Sequence, residues 1–337
     1  MKRSLLRSVI PWLITAMALY YAFSGVDLSM VIDHIKEAER IPLVIAALIT
    51  LSSYLVRTLR WQILFLKSQM NYFTALRVLI LGFFMNNILP ARAGELVRAH
   101  MGARASGETR TLVLATIASE RLVDGLTISL MFVIFAAGVG DPGLSHNLMY
   151  VALAFGMVTV AVLVVLAARE RLFALAERIN SRYKSRASAY TLDRVRIFIN
   201  GLKPLFMPAK LPSVVVLSII VWSIELAVYF LISRAFDASL SISLCVLFLV
   251  AVNFSSLIPA APGGIGVIEA VASAVLISVG VPREQALSMA LCQHFIQYLV
   301  VGVPGLVVLS TWKKQARSIS ELTDDALAEN KVEPPVG

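Results

Sequence analysis

Apolar runs long enough to cross a bilayer alternate along the chain with short charged stretches, and two of the apolar regions are broken in the middle. Unbroken runs cover about 9–25, 42–64, 111–138, 148–168, 212–234 and 285–311. Each is near or above the roughly 20 residues a helix needs to span. The broken regions, 78–104 and 241–280, contain Asn86-Asn87-Ile88-Leu89-Pro90-Ala91-Arg92-Ala93-Gly94-Glu95 and Asn253 through Gly266. Both copies run from Asn through Pro-Ala to Gly, with Pro90 and Gly94 in the first and Pro259, Pro262 and Gly266 in the second. Proline removes a backbone donor and glycine frees the backbone, so these residues predict hinges where a helix stops. At membrane depth such backbone is tolerated only where protein buries it or where it lines a watery cavity. Paired breaks in the two halves of a membrane chain point to a transporter-type binding site.

Composition agrees with the pattern. The 337 residues are 58% hydrophobic and 15% charged, with mean hydropathy +0.80. Both figures depart from a soluble domain towards an integral membrane protein. The formal charge of +9 does not imply nucleic-acid binding, because the basic residues cluster between apolar runs as they do in cytoplasmic loops. Cys245 and Cys292 both lie inside apolar runs, and no Cys/His spacing suits a metal. No metal or other cofactor is expected. Lys2, Arg3 and Arg7 precede a first apolar run longer than a signal-peptide core, which reads as an uncleaved span.

Loop charges orient the chain. Lys2, Arg3 and Arg7, and then Arg57, Arg60, Lys67 and Arg77, mark cytoplasmic ends, whereas the acidic loop 26–40 is outside. Arg77 lies on one side of the first break, and Arg98, Arg104 and Arg110 on the other. Its arm 78–90 is too short to cross at roughly 1.5 Å per residue. A re-entrant hairpin from the cytoplasm accounts for both facts. The basic loop 169–210 is cytoplasmic, either as an ordinary positive loop or with segments around Leu172–Ile179 and Val195–Phe198 lying on anionic lipid headgroups. Region 241–280 starts and ends outside, as a second hairpin or as two spans. The fold class is therefore all-α: about six full spans plus two broken hairpins in an inverted repeat. Residues 1–317 form the membrane domain, and 318–337 a disordered cytoplasmic tail.

Charges at membrane depth mark candidate sites. Arg57, Arg60 and Trp61 share one helix face, as a phosphate clamp or as an interfacial anchor. Arg92, Glu95 and Arg98 follow Pro90, and Glu95 and Arg98 are spaced to pair on one helix. Glu120 and Asp124 stand one turn apart, with Arg121 spaced to pair with Asp124. Lipid cannot accept this group, so it needs partners, and the arginines of the first hairpin are the obvious ones. Glu225 is isolated in its span between Trp222 and Tyr229, either as a proton or cation site or as a counter-ion to an arginine. Gly263 and Gly264 offer an anion nest or close helix packing, with Glu269 one turn into the next helix. Gln293, His294 and Gln297 give the last span a polar face. No Ser-His-acid set and no nucleotide fingerprint is present.

In order and spacing, Arg57-x-x-Arg60-Trp61, Asn87-x-x-Pro90-Ala91-Arg92-Ala93-Gly94-Glu95-x-x-Arg98, Glu120-Arg121-x-x-Asp124 and Pro262-Gly263-Gly264-Ile265-Gly266-x-x-Glu269 resemble the lysylphosphatidylglycerol synthase transmembrane, flippase-like family. The resemblance covers about residues 8–312 and implies a lipid-moving membrane domain. In the bifunctional multiple peptide resistance factors that domain moves aminoacylated phosphatidylglycerol outward, and a soluble C-terminal domain makes the lipid. Here the sequence ends at Gly337, shortly after the last span, so the resemblance implies transport without synthesis.

The resulting expectation is a flippase of the bacterial cytoplasmic (inner) membrane, with both termini cytoplasmic. It would move an anionic or aminoacylated phospholipid, or a lipid-linked intermediate. Arg57, Arg60, Arg92 and Arg98 would hold the phosphate, with Glu95, Glu120, Asp124 and Glu269 balancing those charges in the empty state or binding a cationic headgroup. The alternatives are a membrane transferase acting on a lipid phosphate, or an accessory subunit beside a separately encoded lipid-modifying enzyme. No spacing of small residues specifies a dimer.

Overall fold

The computed structural model describes residues 2–66, 70–135, 186–256 and 258–311, with scattered positions between 150 and 174. Every regular element among them is helical. In chain order these are α1 (Lys2–Phe23), α2 (Leu28–Glu37), α3 (Arg40–Ile63), α4 (Tyr72–Ile88), α5 (Gly94–Ser106), α6 (Arg110–Phe135), α7 (Arg186–Gly201), α8 (Leu211–Ala235), α9 (Ile242–Ser255), α10 (Val267–Ser278) and α11 (Arg283–Thr311). Short 3-10 turns sit at Pro90–Arg92, Lys203–Phe206 and Pro262–Gly264. Most of the expected span 148–168, most of loop 169–210 before Arg186, and the tail 318–337 lie outside the described residues.

Among the described residues three helices, α3, α8 and α11, are long and apolar enough to cross a membrane. Helix α6 is 26 residues long, but any 18-residue stretch of it contains Glu120, Arg121 and Asp124. Its length suits a span, and its charges require protein around them. The acidic segment expected as a loop at 26–40 instead folds as α2, bent 79° from the apolar part of α1. Asp27 starts it by accepting from the Ser29 amide at 2.9 Å. The Ser29 hydroxyl and amide hold the Asp27 carboxyl below its ordinary range. Val31 then buries against the core beside Leu287. The charge count hid this helix because its acids all face outward.

Helices α3 and α8 form the most extensive helix contact among the described residues. Glu39 N, at the start of α3, donates to Ala235 O, at the end of α8, at 2.8 Å. Lys210, before α8, donates to Ile63 O at 3.0 Å and also to Phe65 O. The two helices therefore run antiparallel. Outward faces such as Leu48, Leu55, Val216 and Leu306 remain exposed, as a lipid-facing surface requires.

Both broken regions are pairs of short helices. Helix α4 has 17 residues and α5 has 13, while α9 has 14 and α10 has 12. Helices α5, α9 and α10 fall short of the length a single crossing needs, and α4 lies at its lower limit. Helix α9 is apolar on every face and fills the centre, with Cys245 through Val250 essentially inaccessible. Helices α4 and α5 pack tightly because both approaching faces are glycine: a Cβ on Gly94 would lie 2.3 Å from Gly82 O.

Candidate functional site

The charges predicted on separate helices converge. On α3, Arg57 Nη2 donates to Glu225 Oε1 at 3.0 Å, and Ser53 Oγ donates to the same oxygen at 3.0 Å. One turn on, Arg60 grips Asp124 through both terminal nitrogens at 2.6 and 3.2 Å and reaches Ser218 Oγ at 2.9 Å. Trp222 Nε1 adds a third donor to Asp124 at 2.9 Å. From α5, Arg98 stacks 4.1 Å from the Trp61 ring and approaches Glu120 Oε2 at 2.6 Å. That approach lies off the hydrogen-bond direction, since neither atom gains a directional partner, so the attraction is ionic. Arg121 Nε donates to Glu95 Oε1 at 2.9 Å.

Two pairings expected within single helices do not form. Glu95 does not pair with Arg98, nor Arg121 with Asp124. Each instead crosses to another helix, because same-helix spacing reports a possible neighbour and packing chooses the actual one. The counter-ion alternative for Glu225 holds. Arg57 and Arg60 are not interfacial anchors, since both are buried. Four arginines, Arg57, Arg60, Arg98 and Arg121, thus face four carboxylates, Glu95, Glu120, Asp124 and Glu225. Breaking one pair of such a network leaves a buried charge uncompensated and costs about 3–5 kcal/mol.

Arg92 stands apart. It occupies the left-handed region at φ 56°, a strained conformation for a residue with a side chain. The first break turns there and not at Gly94, whose role is close approach to α4. Among the described residues Arg92 forms no ion pair. Its Nη2 donates to the Ser256 carbonyl at 2.8 Å and to the Ser256 hydroxyl at 2.6 Å. It therefore bridges the two breaks, whose 3-10 turns are also in contact.

Where the breaks meet, a cavity of about 350 Å³ is lined by Arg57, Asn87, Arg92, Glu95, Arg121, Asp124, Glu225 and Gly263, with Tyr54, Asn86, Trp222, Tyr229, Asn253, Ser256, Gln293, His294, Gln297 and Tyr298. An adjoining cavity of about 490 Å³ runs along the second break past Pro259, Pro262 and Gly264, and Arg92, Arg121, Asn87 and Asn253 line both. The predicted set therefore divides. Arg60, Trp61, Arg98 and Glu120 form the wall behind the cavity. Trp61 is fully buried and donates to Thr116 Oγ1 at 3.0 Å. Tyr54, Ser256 and Tyr298 were not singled out from sequence, although Tyr54 sits one turn before Arg57 and Tyr298 one turn after His294.

At the second break, where the sequence left an anion nest or close helix packing open, two of the backbone amides are taken from within. Gly263, Gly264 and Gly266 do take positive φ, yet Gly264 N donates to Ala261 O at 2.9 Å. Gly266 N donates to Glu269 Oε2 at 2.6 Å. Glu269 thus caps its own helix rather than facing a ligand. Its other oxygen meets His294 Nδ1 at 2.5 Å, and His294 Nε2 lies 3.1 Å from Gly263 O.

The family model described as the lysylphosphatidylglycerol synthase TM region matches residues 8–305. A UPF0104 membrane protein of Methanothermobacter thermautotrophicus is 25% identical over 298 residues, covering 84% of this chain and 87% of that protein. A second, from Methanocaldococcus jannaschii, is 24% identical over 230 residues, covering 67% of this chain and 92% of that protein. A third, from Pyrococcus horikoshii, is 22% identical over 298 residues, with 80% and 87% covered.

Proposed function

Because the chain belongs to the lysylphosphatidylglycerol synthase TM-region family, we propose that it moves an anionic or aminoacylated phospholipid, or a lipid-linked intermediate, between the leaflets of a cytoplasmic membrane. The observation that carries this is Arg92, a cation without a carboxylate partner among the described residues, placed where two helix breaks meet on a polar cavity. A phosphate offers the guanidinium fork a better acceptor than the Ser256 oxygens. Its arrival would exchange the Arg92–Ser256 bridge for a bridge to substrate and so uncouple the two breaks. The four balanced ion pairs contribute no net charge, so one arginine in excess suits a headgroup of net charge about −1. An aminoacyl ammonium would need to displace Arg121 from Glu95, the least buried of the pairs.

The proposal includes six full spans and two hairpins entering from opposite faces. Short arms at both breaks, contact between the break tips, and antiparallel α3 and α8 at corresponding places in the two halves all support an inverted repeat. Both termini would then be cytoplasmic by the positive-inside rule. The test is reconstitution in liposomes with fluorescent anionic phospholipid, reading lipid accessible to external dithionite. Wild type should expose inner-leaflet lipid faster than empty liposomes, and a folded Arg92→Ala protein should not. Equal rates for the two proteins would remove Arg92 from the site.

A further inference from the structure

We infer that His294 and Glu269 hold one exchangeable proton between them, and that this proton latches α11 to the second helix break. The hydrogen positions follow from the acceptors. Gly263 O can only accept, so the 3.1 Å contact assigns a hydrogen to His294 Nε2. Nδ1 then faces Glu269 Oε1 at 2.5 Å. Two lone pairs at that separation repel, so a proton lies between them. It sits on Nδ1 opposite a carboxylate or on Oε1 opposite a neutral ring, and the pair is neutral either way.

The pair joins separate elements. Glu269 belongs to α10 and is fixed to the break by its second oxygen on Gly266 N. His294 belongs to α11, and its ring packs edge-on to Tyr298 at 4.8 Å. Loss of the proton leaves a carboxylate facing an imidazole lone pair. Glu269 keeps its Gly266 amide, so the link that is lost is the one from Glu269 to His294, which leaves α11 held to the break only by His294 Nε2 on Gly263 O and by Tyr298 on Pro262 O. His294 and Gly263 both line the cavity, so its water supplies and removes the proton.

The neighbouring groups do not replace it. Tyr298 directs its hydroxyl to Pro262 O at 3.3 Å. Glu225 and Tyr229 approach from α8, where Glu225 is held by Arg57 and Gln297, and Tyr229 accepts from Gln293. Arg121, Asp124, Arg92 and Glu95 line other parts of the cavity. Helix α1 meets the break through Thr15, whose hydroxyl accepts from Ala261 N at 2.8 Å, and α2 meets α11 earlier, at Ser288. The latch does not depend on what the cavity carries. Its use in driving movement with a proton gradient rests on the lipid reading.

Hydrogen exchange of segment 259–270 in nanodiscs, corrected for the intrinsic pH dependence of exchange, tests it across roughly pH 5 to 10. Wild type should lose protection at least about tenfold as the pair deprotonates, the equivalent of one strong hydrogen bond. Glu269→Gln, whose amide donates to Nδ1 without titrating, should keep protection throughout. Parallel pH profiles for the two proteins would overturn the inference. A second measurement needs no change at either residue: histidine ¹⁵N resonances of a protein in which His34, His100 and His146 are replaced. Nε2 should carry hydrogen at every pH while Nδ1 changes state, and an unprotonated Nε2 would overturn the assignment. Failure of lipid movement would remove the carrying role and leave a positive exchange result standing. A flat wild-type profile would remove the latch and leave the lipid reading intact.

Discussion

Replacing Gly94 with alanine should part the two arms of the first hairpin. A Cβ there would lie 2.3 Å from Gly82 O, 2.4 Å from Asn86 N and 2.6 Å from Asn86 Oδ1. Ordinary contact needs about 3.5 Å, so the arms must separate by roughly 1 Å. Two of the three atoms are backbone, so no rotamer change relieves the clash. Overpacking of this kind costs about 1–3 kcal/mol. The better helix propensity of alanine returns at most about 1 kcal/mol, and less in a first turn. The clash therefore wins. Helix α5 carries Arg98 and Glu95, so the shift also stretches their contacts with Glu120 and Arg121. Gly302→Ala is the control, because a Cβ there meets nothing within 4 Å, and it should be neutral or stabilising by up to about 1 kcal/mol. Thermal unfolding of both variants in one detergent reads the difference. A Gly94→Ala protein as stable as Gly302→Ala would refute close glycine packing as what holds the hairpin shut.

Removing Glu120 alone, as Glu120→Ala, should destabilise the fold by about 3–5 kcal/mol by stranding Arg98, while adding Arg98→Met to Glu120→Ala should restore much of it; a double-mutant cycle of these two substitutions on unfolding midpoints checks this. Arg92→Ala should leave the midpoint almost unchanged, because its partners are the Ser256 oxygens at an exposed tip; an equal loss in Arg92→Ala and Glu120→Ala would contradict the division between cavity and wall. Lys210→Met should cost about 1–2 kcal/mol by removing the donor to Ile63 O and Phe65 O where α3 ends. Hydrogen exchange at residues 63–66 locates that loss.

Much of the scaffold was legible in the sequence. The runs at 42–64, 212–234 and 285–311 match α3, α8 and α11 to within two residues at each end, because lipid demands long apolar stretches. Both breaks were legible because proline and glycine interrupt such stretches wherever they fall. The need of the Glu120–Asp124 cluster for the arginines was legible from the cost of isolated charge. Pairing was not. Helix spacing reports neighbours on one helix only, so it linked Glu95 with Arg98 and Arg121 with Asp124, whereas packing sends each to another element. Nor could spacing separate cavity from wall: Arg57 and Arg60 share a face of α3, yet only Arg57 reaches the cavity. Glu269 looked like a ligand-facing acid, and the direction of its carboxylate back towards Gly266 N depends on a backbone turn that sequence marks only as glycine-rich.

The most direct test of the central claim is to photo-crosslink an anionic phospholipid bearing a diazirine on its headgroup to the reconstituted protein and map the adducts. Adducts concentrated in residues 83–95 and 253–264, and lost in Arg92→Ala, are the predicted result. Adducts confined to the lipid-facing groove between Leu59 and Leu217, unchanged by that substitution, would contradict a headgroup site between the two breaks.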